Sequence, residues 1–237
     1  MKKNIKKILI LGLNNIGKKI AQKLKKKYLI LIIKNKINLK KVKKFRPDVI
    51  LSLGYRYKVD DNIINYPLYG SFNLHKSLLP LNRGANPVFW IILNKSIAGI
   101  SIHKMSNKID QGPVCEQKKI FYDFSFTSGD LYKKMEEEQY ILFFKFWSKL
   151  LKSKLKFKKQ KKIKNKSKTK KEFINIIRSY NLKNKRFMEI LHFLKAATFP
   201  PFQNVKIKDK NKIYNIEIKI TQINKINKKF KLLKSYF

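Results

Sequence analysis

The chain has 237 residues, of which 43% are apolar and 13% aromatic; this suits one domain of ordinary size with an appendage and excludes wholesale disorder. Its single cysteine, Cys115, excludes a disulfide framework and a cysteine-rich zinc cluster. No apolar run approaches the roughly 18 residues of a membrane span. The lysine-rich start is not followed by the small cleavage residues of a signal peptide, so we expect a soluble cytoplasmic protein.

The net charge of +43 comes from lysine, since only five of the 57 basic residues are arginine. Lysine, isoleucine and asparagine all have AT-rich codons, so genomic drift alone produces this composition. Proteins that recognise phosphates by geometry favour arginine forks, which are scarce here. The charge therefore permits an anionic partner such as nucleic acid but does not by itself indicate one.

The first third of the chain alternates between apolar runs and helical periodicity. We predict buried strands at residues 7–12, 28–33 and 47–54, with helices at 17–27 and 38–45 between them. This order predicts an α/β fold with a right-handed, mostly parallel, Rossmann-like sheet.

The turn between the first strand and helix, Gly12-Leu-Asn-Asn-Ile-Gly17, is similar to a dinucleotide-binding fingerprint. Asn14 replaces the middle glycine, and lysines rather than an acidic residue follow the second strand. The turn is therefore predicted to be only a tight strand-to-helix connection.

The middle of the chain continues the pattern with strands at residues 71–75, 99–105 and 114–121. Asn86 is predicted to cap a short helix that has Pro87 at its first position. Thr127 and Asp130 form a predicted capping box for a long helix that ends near Leu155.

The C-terminal part begins with a run, residues 152–171, in which 12 of 20 residues are lysine and none is acidic. We predict a catalytic domain at 1–155, a solvated mobile linker at 156–171 and a small α+β module at 172–237. A tRNA-contacting arm is the alternative for the linker. Within the module we predict a helix at 184–196, a rigid turn at 198–202, and a strand at 212–220 whose edge-like pattern suggests a homodimer.

Three polar residues carry the candidate chemistry. Asn73 and His75 are two apart on one strand, so their side chains leave the same face at the end of the sheet where ligands bind. Asp110 lies in the loop after the next strand, and if those strands are neighbours its carboxylate reaches His75 and raises the histidine pKa. Amide, imidazole and carboxylate together suit acyl transfer to a substrate amine. Metal binding by His75, His103 and Asp110 is disfavoured because there is no close histidine pair.

Four segments resemble the folate-dependent formyltransferase family over roughly residues 8–151. They are Asn73-Leu-His-Lys-Ser-Leu-Leu-Pro80, Arg83-Gly-Ala-Asn-Pro-Val-Phe-Trp90, Gly99-Ile-Ser-Ile-His-Lys-Met105 and Ile109-Asp-Gln-Gly112. The resemblance implies formyl transfer from 10-formyltetrahydrofolate, with no metal. It assigns transition-state stabilisation to Asn73, proton transfer to His75 and tuning of that histidine to Asp110. It also implies that backbone groups of two loops hold the pterin: Tyr57, Lys58 and Val59 in one, and Ser106, Asn107, Lys108, Ile109 and Asp110 in the other.

The acceptor amine is interpreted from finer similarity to the amino-sugar members of that family. Trp90, the Ile102–Met105 run and Lys195-Ala-Ala-Thr-Phe-Pro-Pro-Phe202 resemble those members, so we expect a nucleotide-linked 4-amino sugar as acceptor. Lys76 and Ala85 depart from common family residues. Formylation of initiator methionyl-tRNA by a shortened enzyme remains the alternative, as does a non-catalytic folate- or RNA-binding protein on the same scaffold.

Overall fold

The computed structural model describes residues 3–164, 166–180 and 185–222. The strands of the main domain are β1 (Lys7–Leu11), β2 (Leu29–Ile33), β3 (Val49–Ser52), β4 (Ser71–His75), β5 (Ala98–Lys104) and β6 (Val114–Ile120). Its helices are α1 (Asn15–Lys25), α2 (Leu39–Phe45), α3 (Asp61–Ile64), α4 (Pro87–Leu93) and α5 (Ser128–Leu151). The remaining elements are α6 (Lys170–Ser179), α7 (Phe187–Ala197), β7 (Lys206–Asp209) and β8 (Lys212–Asn215).

The central sheet has the strand order β2-β1-β3-β4-β5-β6. The four strands from β2 to β4 are parallel, whereas β5 runs antiparallel to both β4 and β6. The predicted α/β class with a mostly parallel sheet is therefore confirmed.

Two apolar layers cover this sheet, which explains why β1 reads as an unbroken apolar run. Ile8 and Ile10 face the larger layer, which includes α1, α4 and α5, while Leu9 and Leu11 face the layer of α2 and α3. Alternate residues of one strand thus enter opposite cores, and neither face tolerates a polar side chain.

β2 differs from its prediction as a fully buried strand. Among the described strands it is at the edge of the sheet, next to β1, and Leu29 at its start is 60% exposed. An apolar run does not reveal whether a strand is central or at an edge, because that depends on which strands pair with it.

Of the two predicted helix caps one is formed, and Asn14 provides another that was not predicted. Asn14 caps α1, since its Oδ1 accepts a hydrogen bond from the Gly17 backbone N at 2.8 Å. Thr127 and Asp130 form the predicted capping box of α5. Asn86 precedes α4 as predicted, but it adopts a left-handed backbone with φ of 51° and its side chain makes no capping bond.

Helix α5 packs into the larger core along most of its length. It is 24 residues long, ends at Leu151 rather than Leu155, and packs Phe146 edge-to-face on Phe72 of β4 at 4.9 Å between ring centroids. Among the residues that the structure describes, no helix is long and apolar enough to span a membrane.

The segment after α5 does not lead away from the main domain as a free linker would. We call residues 156–164 and 166–168 the strap. Its side chains are mostly exposed, as expected, but its backbone pairs with Val114 through Lys158 and with the segment around Gly84 through Lys168. Helix α6, which was not predicted, follows at once and contributes Phe173 to an edge-to-face contact with Phe89.

The end of the described chain consists of α7 and a hairpin. Helix α7 packs on α4 and α5 and contributes Ala196 to the main core. The predicted start of this helix, Asn184, and the last residues of the predicted module, 223–237, lie outside the described residues. The strand predicted at 212–220 ends at Asn215, where it pairs with β7 in an exposed two-stranded hairpin.

Candidate active site

Asn73 and His75 lie where the strand pattern places them. Both are on β4, and their side chains leave the face of the sheet away from α5. The residues that alternate with them, Phe72 and Leu74, enter the larger core, where Phe72 packs on Phe146 of α5. The antiparallel pairing of β4 with β5 sets Asn73 directly opposite His103.

Asp110 reaches this pair because the chain turns back after β5. Its backbone has a φ of 54°, a left-handed conformation that an aspartate tolerates better than most residues. The Asp110 Oδ2 atom lies 3.6 Å from His75 Nδ1, and its Oδ1 accepts a hydrogen bond from Asn73 Nδ2 at 3.0 Å. The structure thus brings together the three predicted catalytic residues, whose roles in catalysis stay predictions.

Further donors converge on the Asp110 carboxylate. The Gly84 backbone N donates to Oδ2 at 2.9 Å, and His103 Nε2 lies 3.3 Å from Oδ1. Burial alone would raise the pKa of this carboxyl, but the neighbouring imidazoles of His75 and His103 and the Gly84 hydrogen bond outweigh it and hold the pKa well below its usual range. Asp110 is therefore ionised throughout the physiological pH range.

The pKa of His75 is lowered, which is opposite to the expectation from Asp110 alone. Burial is the largest cause, since the ring is 7% exposed, and it outweighs the raising effect of the Asp110 charge. Both ring nitrogens face oxygen atoms, because His75 Nε2 lies 3.2 Å from the Asn82 carbonyl oxygen and Nδ1 faces Asp110. The ring is thus neutral at rest but placed to hold a proton between two acceptors.

His103 is a member of the site that the sequence reasoning missed. The sequence indicates this histidine only as a residue of an alternating strand and as a disfavoured metal ligand. Its Nδ1 lies 2.9 Å from the Lys104 carbonyl oxygen, and its Nε2 lies 3.2 Å from Asn73 Nδ2. His103 Nε2 therefore lies next to both the Asn73 amide and the Asp110 carboxylate, and the ring holds these two groups in position. The available signal was the alternation of this strand, which puts the side chains of His103 and Ser101 on the same face of the sheet.

Gln160 of the strap is the second residue that was missed. Its Nε2 donates to the carbonyl oxygens of Asp110 and Gly112, both at 2.8 Å. Its Oε1 accepts from Arg83 Nη2 at 2.7 Å and from Arg83 Nε at 3.1 Å. One side chain therefore joins the Asp110 loop to the Arg83-Gly84 loop, and no local sequence pattern marks a contact over 50 residues of chain.

The two glycines beside Asp110 are required by close approach. A Cβ atom on Gly84, where φ is 94°, would lie 2.1 Å from the Lys168 carbonyl oxygen. A Cβ atom on Gly112 would lie 1.8 Å from the Lys104 carbonyl oxygen. Only glycine lets the strap and β5 approach the Asp110 loop this closely.

The residues predicted to hold the pterin fall into two groups. Ser106, Asn107, Lys108 and Ile109 lead directly to Asp110, and the loop is closed by a hydrogen bond from Ser106 Oγ to the Lys108 carbonyl oxygen at 3.0 Å. In the other group Tyr57 and Lys58 are exposed, but the Val59 side chain is buried among the apolar residues under α3. Val59 can therefore offer only backbone groups to a ligand.

The described residues contain no group of three or more histidine, cysteine, aspartate or glutamate side chains placed to hold a metal ion. His75, His103 and Asp110 do lie together, but Asp110 already accepts bonds from Asn73 and Gly84. Their arrangement is that of a hydrogen-bond network around one carboxylate.

The family profile described as "Formyl transferase" matches residues 13–146, which include the β4 strand and the Asp110 loop. The chain belongs to that family. Among curated proteins, it is 40% identical over 116 residues to the bifunctional polymyxin resistance protein ArnA of Wigglesworthia glossinidia brevipalpis; the match covers 47% of this chain and 18% of that relative.

Two solved structures illustrate the similarity of the fold. A sugar N-formyltransferase from Shewanella sp. superposes with a TM-score of 0.77 at 17% identity, covering 92% of this chain and 99% of the other. The formyltransferase PseJ from Anoxybacillus kamchatkensis, solved with UDP-4,6-dideoxy-4-formamido-L-AltNAc and tetrahydrofolate, superposes with a TM-score of 0.67 at 25% identity, covering 79% and 97%.

Proposed function

We propose that this protein transfers a formyl group from 10-formyltetrahydrofolate to the amino group of a nucleotide-linked 4-amino-deoxy sugar. The observation that carries the proposal is the convergence of Asn73 and His75 of β4 on the Asp110 carboxylate, at 3.0 and 3.6 Å. The complex of PseJ with a formamido sugar nucleotide and tetrahydrofolate supports the substrate classes.

In the proposed reaction the sugar amine attacks the formyl carbon directly. The carbonyl oxygen becomes an oxyanion, which accepts a hydrogen bond from the Asn73 amide; one N–H of that amide is held by Asp110 and the other is available. His75, neutral because burial lowers its pKa, takes the proton from the attacking amine. The bond from carbon to folate N10 then breaks, and His75 returns the proton to N10, so that the charges balance.

Asp110 supports this proton transfer without itself becoming protonated. Its carboxylate, whose pKa is held low, faces His75 Nδ1 and stabilises the imidazolium that forms in the middle of the reaction. His103 and Gln160 act through Asn73 and Asp110, so we assign them positioning roles. The pterin is proposed to lie against backbone groups of residues 57–59 and 106–110.

The test is formyl transfer by the purified protein, with dTDP- and UDP-4-amino sugars and charged initiator methionyl-tRNA as separate acceptors. Wild type is expected to formylate a sugar nucleotide, and Asn73→Ala to lose about 100- to 1,000-fold in kcat, as expected for one oxyanion donor. Asn175→Ala, an exposed asparagine on α6, is the matched control and should behave as wild type. Turnover that survives Asn73→Ala would contradict the mechanism.

A second acceptor, initiator methionyl-tRNA, is favoured by one observation: the lysine-rich strap runs beside the site. Turnover of the tRNA alone, with affinity that falls steeply as salt is raised, would replace the sugar by tRNA in the proposal. If no acceptor is formylated and His75→Ala leaves the biological activity intact, the protein is a folate- or RNA-binding member of the family.

A homodimer through the C-terminal hairpin and a cytoplasmic location are also proposed. The hairpin exposes Ile207, Ile213 and Tyr214, of which Ile213 is 70% exposed. Sedimentation of the protein as a monomer would contradict it.

A further inference from the structure

The strap carries a row of lysines that the proposed reaction does not use. Lys161, Lys162, Lys164 and Lys166 are exposed, and among the described residues none of the four forms an ion pair with a carboxylate. Lys168, the next along, differs because it pairs with Glu172 at 3.6 Å. We call the four unpaired residues, Lys161, Lys162, Lys164 and Lys166, the lysine ridge.

The strap holds this ridge in a defined place. On one side Lys158 exchanges two backbone hydrogen bonds of 2.8 Å with Val114, and Gln160 binds the Asp110 and Gly112 carbonyls. On the other side the Lys168 N–H donates to the Arg83 carbonyl at 2.8 Å, and its carbonyl accepts from Ala85 at 2.8 Å. The strap is therefore anchored on both sides of the ridge, at Lys158 and Gln160 and again at Lys168, so binding a ligand there needs little further ordering.

The ridge lies at the rim of the candidate active site. Ser167 donates through its Oγ to the Ile109 carbonyl at 3.4 Å, so the strap runs along the loop that is proposed to hold the pterin. Gly84, against which Lys168 packs, donates to the Asp110 carboxylate itself. The ridge therefore lies between Gln160 and Ser167, both of which bind carbonyl oxygens of the Asp110 loop.

We propose that the lysine ridge binds the γ-glutamyl tail of the folate donor, and that the protein uses donors with several glutamates in preference to the monoglutamate. This inference rests on the proposed function. The formyl-bearing N10 lies between the pterin and the glutamate end, so a pterin held in the loops directs the glutamate outward. Each added γ-linked glutamate adds one carboxylate.

The spacing of the charges favours this tail over the diphosphate of the acceptor as the ligand. Four lysines occur within six residues, which span at most about 20 Å when extended. A chain of separate carboxylates can pair with such a row one by one, whereas a diphosphate concentrates its charge at one point. Exposed ion pairs are individually weak, so the effect should grow with the number of glutamates.

The experiment measures KM for 10-formyltetrahydrofolate with one, three and five glutamates, at a saturating sugar nucleotide. Wild type is expected to show about a twofold lower KM for each added carboxylate at low salt, and no dependence at 0.5 M salt, where screening shortens the reach of charges to about 4 Å. In the variant Lys161→Gln, Lys162→Gln, Lys164→Gln, Lys166→Gln, the KM should not depend on tail length, while kcat with the monoglutamate stays unchanged.

A matched control removes the same number of charges elsewhere. Lys19, Lys23, Lys26 and Lys27 are exposed on and just after α1, so their replacement by glutamine changes the net charge equally but leaves the strap intact. This control should keep the wild-type dependence on tail length. If it loses that dependence as well, the effect belongs to the overall charge and the lysine ridge is not the site.

Several results would overturn the proposal. One is a wild-type KM that does not change with tail length; another is a ridge variant that raises KM only for the sugar nucleotide, which would assign the ridge to the acceptor diphosphate. Loss of RNA binding in the ridge variant with an unchanged tail dependence would assign it to RNA. Calorimetric binding of tetrahydrofolate mono- and pentaglutamate separates the proposed function from the proposed ridge. A higher affinity for the pentaglutamate without any turnover refutes formyl transfer but supports the ridge. Equal affinities, or no binding, refute the ridge.

Discussion

Gln160 provides the sharpest test of how the site is held together. In Gln160→Glu the side chain can still accept hydrogen bonds from Arg83, but it has no N–H to donate to the Asp110 and Gly112 carbonyls. The substitution therefore removes the half of the contact network that faces the Asp110 loop and sets a carboxylate oxygen against its carbonyls, while the half that faces Arg83 is kept.

The expected magnitude follows from those two bonds. Each hydrogen bond contributes about 0.5–1.5 kcal/mol net, so their loss costs about 1–3 kcal/mol. A left-handed backbone such as that of Asp110, with φ of 54°, stores strain of similar size, about 1–3 kcal/mol. Without the amide the loop is free to relax, and if the whole cost falls on the transition state kcat drops about 5- to 150-fold.

The assay is kcat for formyl transfer at saturating donor and acceptor, with Gln117→Glu as the matched control. Gln117 also donates to a backbone carbonyl, that of Leu79 at 2.8 Å, but it does not contact the Asp110 loop. A double-mutant cycle with Asp110→Ala then tests the route: Gln160→Glu should add less than about twofold in that background. A wild-type kcat in Gln160→Glu, or fully additive losses in the cycle, would refute the reasoning.

Three further predictions concern charge, backbone and stability. Asp110→Asn should lower kcat by about 100-fold or more and move the acid limb of the kcat/KM pH profile to lower pH, because the Asp110 charge raises the pKa of His75 against burial; a limb that moves to higher pH would contradict this. Gly84→Ala should destabilise the protein in urea by about 1–3 kcal/mol more than Gly70→Ala, since both glycines have φ above 90° but only Gly84 faces a backbone oxygen; equal losses would deny the contact between strap and loop. Burial, with the charges of Lys95 and Lys195, lowers the pKa of His192 to about 4, so the stability that the neutral ring contributes is complete above pH 6.5 and is lost as the unfolded state gains a proton below that pH. Between pH 7 and 4.5 the free energy of unfolding of wild type should fall by about 1–2 kcal/mol more than that of His192→Phe. Parallel losses would show that His192 does not titrate as expected.

The sequence alone determined the features that depend on short-range periodicity. Residues that are two apart on a strand place their side chains on the same face of the sheet. Asn73 and His75 therefore had to be neighbours once residues 71–75 formed a strand. The apolar runs of β1 and β3 required helices on both sides of the sheet, and Thr127 with Asp130 identified the start of α5. Each of these follows from the local backbone geometry of one element.

The tertiary structure decided everything that depends on partners distant in the sequence. The antiparallel return of β5 brings His103 opposite Asn73, and the strap brings Gln160 to Asp110 across 50 residues of chain, where no local pattern could indicate it. The same is true of the sign of the His75 pKa shift. The sequence could indicate the opposing charge of Asp110, but only the packed structure fixes the burial that outweighs it, because desolvation is a property of all the surrounding atoms at once.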